Sequence, residues 1–236
     1  MISLLFDAGH GGKDSGAVNG SFYEKDVVLE IAKKTAEVLS KYDVFVGFTR
    51  DKDEFLSLNH RSNKSLYYDT TISFHTNSST SKSPHGAQVY VHPKASANDR
   101  RIAQFIQNEL DLVFPKTKWS GVRESNLHMV REPKGNKVLL ELGFISNPRD
   151  LNILKTQTTR IAILIANGII FSHNLKKKQV TAKPSAKKYT SIVEYLQANG
   201  QDYSFKARAK LAVKYGIPNY KGTAAQNLQL LAILQG

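Results

Sequence analysis

Four ionisable residues, widely separated in the chain, fall at comparable places in its pattern of apolar runs. His10 follows the apolar run 2–6 within Asp7-Ala-Gly-His-Gly-Gly, and His75 follows the run 70–74 within Ser73-Phe-His-Thr-Asn77. Glu141 ends a third run, Val138-Leu-Leu, and Glu24 closes a glycine-rich loop spanning residues 9–23. In a wound α/β sheet the carboxyl ends of parallel strands share one edge, and ligands bind there. His10, His75 and Glu141 would therefore converge. Two histidines and the Glu24 carboxylate make a three-ligand set that leaves a fourth zinc position for water. Glu141 could then act as a base on that water. Spacing alone leaves a second reading open, in which the histidines are structural. Glu141 is harder to explain that way, because an unpaired carboxylate on an apolar strand is costly to bury.

Other chemistries find little support. There is no H-E-x-x-H pair, no G-x-x-x-x-G-K-[ST] or G-x-G-x-x-G phosphate loop, and no G-x-S-x-G elbow. His60, His85, His92 and His173 have no carboxylate or second histidine at ligand spacing and read as surface residues. His128 stands near Arg131, shortly before the Glu141 strand, where a groove position is open to it.

Composition narrows the metal chemistry. The 236 residues include no cysteine, which excludes disulfides, thiolate zinc fingers, iron–sulfur clusters and thiol nucleophiles. Any metal must be held by nitrogen and oxygen. The formal charge of +13 is uneven: residues 1–175 carry only +4, residues 176–188 hold six lysines and no acid, and residues 189–236 add +3. A polyanionic partner follows. Nucleic-acid binding would account for the charge but leaves the two histidines and two glutamates unexplained, and no recognition signature supports it.

Positioning these residues requires strands alternating with helices. Apolar runs at 2–6, 44–49, 70–74, 88–92 and 138–140 read as strands. Helical spacing covers 25–42, through Val28, Ile31, Ala32, Thr35, Val38 and Leu39. Asp99 is the expected N-cap of a helix at 99–113 with Ile102, Phe105, Ile106, Leu110 and Val113 facing inward. Asn147-Pro-Arg-Asp opens another helical region, and Ile161, Leu164, Ile165, Gly168 and Ile169 form the face of the last helix. The expected class is an α/β sandwich on a largely parallel or mixed sheet. Residues 1–175 form that domain, residues 176–188 a Lys-rich linker, and residues 189–236 a small all-α module. Helices are expected at 191–198, 204–215 and 223–234, with Asn199-Gly200 and Gly216 as stops. The stretch 161–171 is too short to span a bilayer, and the first residues lack a signal-peptide pattern.

These blocks resemble, in order, the zinc-dependent N-acetylmuramoyl-L-alanine amidases of type 3. The resemblance is carried by Asp7-Ala-Gly-His-Gly-Gly with Asp14 and Gly16, Glu24-Lys-Asp-Val, Thr49-Arg-Asp51 with Leu58 and Arg61, Ile72-Ser-Phe-His-Thr-Asn77, Gly86-Ala-Gln-Val-Tyr90 and Val138-Leu-Leu-Glu-Leu-Gly-Phe-Ile-Ser-Asn147. It covers residues 1–173. It implies a six-stranded sheet flanked by helices, one zinc ion per chain on His10, Glu24 and His75, and Glu141 as the catalytic acid. Asn77 and Arg131 would touch substrate or support the ligands, and His128, from its position near Arg131, is a further candidate for the same role. Peptidoglycan is the implied substrate, cut between N-acetylmuramic acid and L-alanine. The segment Ser62-Asn-Lys-Ser departs from the family spacing. No long autoinhibitory helix separates His75 from Glu141, so no activator is expected.

The tail resembles, more loosely, a module at the ends of bacillus-type and phage lysins. It would grip the wall, including anionic polymers, through Tyr195, Tyr203, Tyr215 and Tyr220; alternatively those tyrosines fill a small core, or the tail mediates self-association. With no leader evident, a phage or prophage endolysin, made in the host cytoplasm and released to the wall, is expected over a secreted hydrolase. Neither nucleic-acid binding nor a membrane span is expected.

Overall fold

The computed structural model describes residues 1–178 and 189–235. The chain divides into two compact units, 1–178 and 179–236. In the first, β1 (Ile2–Ala8) is followed by a small hairpin, β2 (Val18–Asn19) and β3 (Phe22–Tyr23), and by α1 (Glu24–Leu39). Then come β4 (Val44–Phe48), α2 (Leu58–Lys64), β5 (Thr70–Asn77), β6 (Gln88–Val91), α3 (Ala97–Leu110) and β7 (Gly121–Glu124). The unit closes with α4 (His128–Arg131), β8 (Asn136–Phe144), α5 (Pro148–Thr156) and α6 (Thr158–His173).

Six strands form one sheet in the order β4-β1-β5-β8-β6-β7. The first four run parallel, β6 is antiparallel to β8, and β7 is parallel to β6. The expected mixed α/β sheet is therefore observed. Successive side chains of a strand point to opposite faces, and the sequence uses both. On the back face Leu4, Phe6, Ala8, Ile72, Phe74, Val89, Val91, Val138 and Leu140 are fully buried, in one core with Val28 and Ile31 of α1, Ile102 and Ile106 of α3, and Ile161 and Ile165 of α6. The front face holds Asp7 opposite Ser73, His75 opposite Glu141, and Gln88 opposite Glu141 from the other side. Met129 and Val130 of α4 pack there on Leu139 and Tyr90.

Several local expectations need correction. His75 and Glu141 are not strand-terminal: β5 continues to Asn77 and β8 to Phe144, because the two strands stay paired through His75 and Glu141. Asp99 is not the N-cap of α3. Ser96 caps, accepting from the Asp99 amide at 3.1 Å, and the Asp99 carboxylate accepts from the Ser96 amide at 2.9 Å. Phe105 is more exposed than expected and stacks on Phe171 at 6.5 Å, and Val113 lies past the helix end. The hairpin β2–β3 and the edge strand β7 had no clear apolar signal.

Of the Lys-rich stretch, residues 176–178 belong to the first unit: the Asp43 amide donates to the Lys176 carbonyl at 2.9 Å and the Lys178 amide to the Lys41 carbonyl at 2.9 Å. Residues 179–188 of the expected linker lie outside the described residues. The second unit is all-α, with α7 (Ile192–Ala198), α8 (Phe205–Lys214) and α9 (Ala224–Gln235) around Ile192, Leu196, Ala212, Ile217, Leu230 and Leu231. Tyr195 belongs to that packing, donating its hydroxyl to the Leu234 carbonyl at 2.7 Å, and the Tyr220 hydroxyl meets Asn227 and Arg208. Tyr203 and Tyr215 are exposed. Among the described residues no helix is long and apolar enough to cross a membrane.

Candidate metal centre

The first ligand position is set by a turn held from below. After β1 the chain reverses at His10, whose φ of 60° lies in the left-handed region. Non-glycine residues enter that region only when their surroundings over-determine it. Two buried arginines supply that constraint. Arg50 donates to the carbonyls of Ala8 (2.8 Å), Gly9 (2.7 Å) and Lys25 (2.8 Å). Arg61 donates to the carbonyls of Ala8 and His10, and to the Asp7 carboxylate at 2.9 Å. Asp7 is fully buried and also accepts from Thr49 and Ser73, each at 2.7 Å. Burial opposes its charge, but Arg61 and these hydroxyls hold its carboxyl below the ordinary carboxylate range.

Close packing brings the ligands together. A Cβ on Gly9 would lie 2.2 Å from the His75 ring, so only glycine permits that approach. Gly16, at φ +65°, stands so close to Glu24 and His10 that a Cβ would come within 2.7 Å of both. Glu24, the first residue of α1, takes the Ala17 amide on Oε2 (2.8 Å) and the Thr76 amide on Oε1 (2.9 Å). The same Oε1 lies 3.0 Å from His75 Nδ1 and 3.2 Å from His10 Nε2. The other nitrogen of His10 meets Asp14 at 2.9 Å, which fixes the ring's orientation.

One donor atom from each of His10, Glu24 and His75 lies within 4.8 Å of the others. Tetrahedral donors about 2 Å from a zinc ion sit about 3.3 Å apart, close to the two spacings from Glu24 Oε1 to His10 and His75. Two imidazoles, a carboxylate and an absence of thiols suit a borderline cation such as zinc. The residues therefore fit a metal.

Electrostatics agree with that fit. Burial opposes ionisation of Glu24, yet hydrogen bonds from His10 and His75 hold it far below the ordinary glutamate range. His10 is pushed up to about 8, Glu24 and Asp14 outweighing the effect of burial. His75 is raised as well, against burial, by Glu24 and Glu141. The carboxylate field that raises both imidazoles would favour a cation at the same place. Glu141 behaves oppositely: burial first, then the charge of Glu24, pushes it up to about 7 against the pull of His75 and His10. Its Oε2 is buried and meets no hydrogen-bond donor among the described residues.

The model of the N-acetylmuramoyl-L-alanine amidase family matches residues 4–170. The chain belongs to that family. It is 35% identical over 156 residues to N-acetylmuramoyl-L-alanine amidase LytC of Bacillus subtilis (strain 168), covering 65% of this chain and 31% of LytC, so it spans under a third of that relative's length. It is 34% identical over 195 residues to an endolysin of Bacillus phage SPP1, covering 78% of this chain and 71% of the endolysin. Among solved structures, the catalytic domain of the amidase CwlV from Bacillus (Paenibacillus) polymyxa var. colistinus superposes with a TM-score of 0.68 at 31% identity, covering 75% of this chain and all of that domain. An N-acetylmuramoyl-L-alanine amidase from Clostridium difficile 630 gives a TM-score of 0.68 at 27% identity, covering 73% of this chain and 97% of that one.

Within the amidase-family unit the remaining candidates divide. Asn77 lies beside the site, its amide donating to Gln88 Oε1 at 2.8 Å. His128 is turned to Ser62 at 3.1 Å and ties α4 to α2, and Arg131 is engaged at the surface by Glu132 and Asn126. Neither lines the cleft beside the ligands, which is walled by Phe55, Leu56, Leu58 and Met129. Arg50 and Arg61 stand in the family motifs without a role of their own, although a basic residue two positions after strand Val44–Phe48 is a usable signal. Phe55 and Met129 follow no period and carry no sequence signal, while Leu58, Gln88 and Tyr90 stand in the family motifs without a role of their own, although the alternation in β6 places Gln88 and Tyr90 on one face.

Proposed function

We propose that this chain is a zinc-dependent hydrolase of the amide bond between N-acetylmuramic acid and the L-alanine of the peptidoglycan stem. The observation that carries this is the pairing of two unlike sites: a His10–Glu24–His75 donor set from the turn after β1, from α1 and from β5, and next to it the Glu141 carboxylate, whose buried Oε2 meets no donor among the described residues. Zinc held by the three ligands would supply Lewis acidity, lowering the pKa of a water from ~15.7 towards ~7 and polarising the scissile carbonyl.

The chain's own residues account for the rest. The Glu141 carboxylate takes a proton from the attacking water as the water oxygen bonds to the carbonyl carbon. The same carboxyl then gives that proton to the alanine nitrogen as the C–N bond breaks. Burial, which raises the proton affinity of the Glu141 carboxyl, suits a group that first takes and then gives a proton. Asp14, through Nδ1 of His10, keeps Nε2 directed at the shared donor site. Arg50 and Arg61 keep the His10 turn from relaxing.

The second unit is proposed as a wall-binding module. Lys206, Lys210 and Lys214 recur every fourth residue on α8, so they share one exposed face, and Tyr203 and Tyr215 are exposed nearby in sequence. This favours an anionic wall polymer as the ligand. Tyr195 and Tyr220 serve the module's own packing instead. A phage or prophage lysin is the role proposed for the whole chain, in keeping with the similarity to the SPP1 endolysin.

The test is to incubate the full chain with purified peptidoglycan and label newly freed amino groups. N-terminal alanine is expected, and new reducing sugar ends would refute the reading. For the tail, the triple substitution Lys206→Glu, Lys210→Glu and Lys214→Glu in the full chain should abolish sedimentation with walls while leaving hydrolysis of a soluble muropeptide unchanged.

A further inference from the structure

The sheet order ranks the site's side chains across the front face, and its two flanks are unlike. From β1 outward come His10, then His75 on β5, Glu141 on β8, and Gln88 and Tyr90 on β6. On the His10 side lies a cleft of about 120 Å³ lined by His10, His75, Asp14 and Arg61 and by the apolar side chains of Phe55, Leu58 and Met129; Glu141 does not line it. Phe55 is 46% exposed and Leu58 55%. Lys13 Nζ stands 4.7 Å from the Phe55 ring centre, a donor at the rim of this apolar wall. The Glu141 side is polar instead. Gln88 Oε1 accepts from Asn77 at 2.8 Å and from the Tyr90 hydroxyl at 3.1 Å, and the Gln88 amide donates to the Trp119 carbonyl.

Given the amidase reading, on which this rests, proton transfer orients the substrate. The proton held by Glu141 must reach the departing nitrogen, so that nitrogen and its peptide lie on the Glu141–Gln88 flank. The other substituent of the acyl carbon, the lactyl ether with its sugar, then runs past His10 towards Phe55. We propose that Phe55, Leu58 and Met129 form the muramoyl subsite, with Phe55 as the platform for the apolar face of the sugar ring. Asn77 and Tyr90, held in place by the buried Gln88, bracket the stem peptide with their remaining donor and acceptor capacity. The chemistry of each flank suits its occupant: a pyranose presents a face of C–H groups, and a peptide presents alternating donors and acceptors.

The experiment uses the full zinc-loaded chain carrying Glu141→Gln, so that ligands persist. Dissociation constants are measured calorimetrically for N-acetylmuramoyl-L-alanyl-D-isoglutamine and for L-alanyl-D-isoglutamine. Adding Phe55→Ala should weaken the muramoyl ligand about tenfold and leave the dipeptide unchanged, with Phe55→Tyr restoring affinity. Adding Tyr90→Phe or Gln88→Ala should weaken both ligands by the same factor. Equal thermal midpoints establish that the half-exposed Phe55 can be replaced without loss of fold. The subsite is overturned if Phe55→Ala weakens both ligands equally or neither, or if the Tyr90 and Gln88 variants affect only the muramoyl ligand. If the wild-type chain frees no alanine from walls, the amidase reading falls and the subsite with it. Alanine release together with a Phe55 variant blind to the sugar removes the subsite alone.

Discussion

The two faces of the central sheet are made by alternate residues of the same strands, and they do opposite work. Leu4, Phe6 and Ala8 of β1 face back into a dry core, while Asp7 between them faces forward and ends in a salt bridge with Arg61. Phe74 faces back and His75 forward; Leu140 faces back and Glu141 forward. The back face gains its stability from area removed from water. Charges on the front face survive burial because each has a charged or hydrogen-bonding partner or a shifted pKa. On β5 and β8 stability and chemistry are thus separated by a single residue, whereas Asp7 on β1 serves stability from the front face through Arg61; substitutions on adjacent positions should separate the two roles.

The largest effect is expected at the front. Glu141→Ala should lower the hydrolysis rate by about 10²–10⁴-fold while the metal content stays at one ion per chain. Retention of full activity would remove Glu141 from the mechanism. Asp7→Asn comes next, because it leaves Arg61 as an uncompensated buried cation, at a cost of about 3–5 kcal/mol in denaturant unfolding. Its sign with pH follows from a folded-state pKa below the ordinary 3.8. The carboxylate's contribution is present in full above that value and is lost as pH falls through the lower folded-state pKa. The gap between wild type and Asp7→Asn should therefore narrow only in strong acid. A gap that narrowed between pH 7 and pH 5 would contradict the assignment.

On the back face, Leu140→Ala should cost about 2–5 kcal/mol of stability, with zinc affinity unaltered under conditions where the variant is folded. Loss of zinc affinity from this change would show that the faces are coupled. The smallest expected effect is that of Asp14→Asn, which loosens His10 without removing a ligand. Zinc affinity, read by competition with a chromogenic chelator, should fall about 10–100-fold, and thermal stability of the zinc-free chain should barely move.

How much of this was legible in the sequence depended on how local each signal is. His10, Glu24, His75 and Glu141 stood out because polar groups interrupt or follow apolar runs, and the tail helices stood out through their Gly and Asn stops. His75 and Glu141 read as strand ends because a charge looks like an exit to solvent. Inside the sheet each is instead flanked by the other, and pairing continues past them. Ser96 lost its capping role on paper to Asp99 because both are capping residues, and only the reciprocal hydrogen bonds decide between them. Asp7 was visible only as the end of a run. Its burial depends on Arg61, 54 residues away, a contact no local pattern encodes. Phe55 and Leu58 carry no periodicity, so their meeting with Met129 beside the ligands emerges only when α2 and α4 come together over the front face.

The central claim is that Glu141 acts chemically on an amide placed beside metal ligands, without being one of them. The most direct measurement follows zinc content and release of N-terminal alanine from purified peptidoglycan together, for the wild-type full chain and for Glu141→Ala. Wild type should hold one zinc, lose alanine release on chelation and recover it when zinc is returned. The variant should hold the same zinc and release almost no alanine. A variant that keeps its zinc and still frees alanine at the wild-type rate would contradict the account.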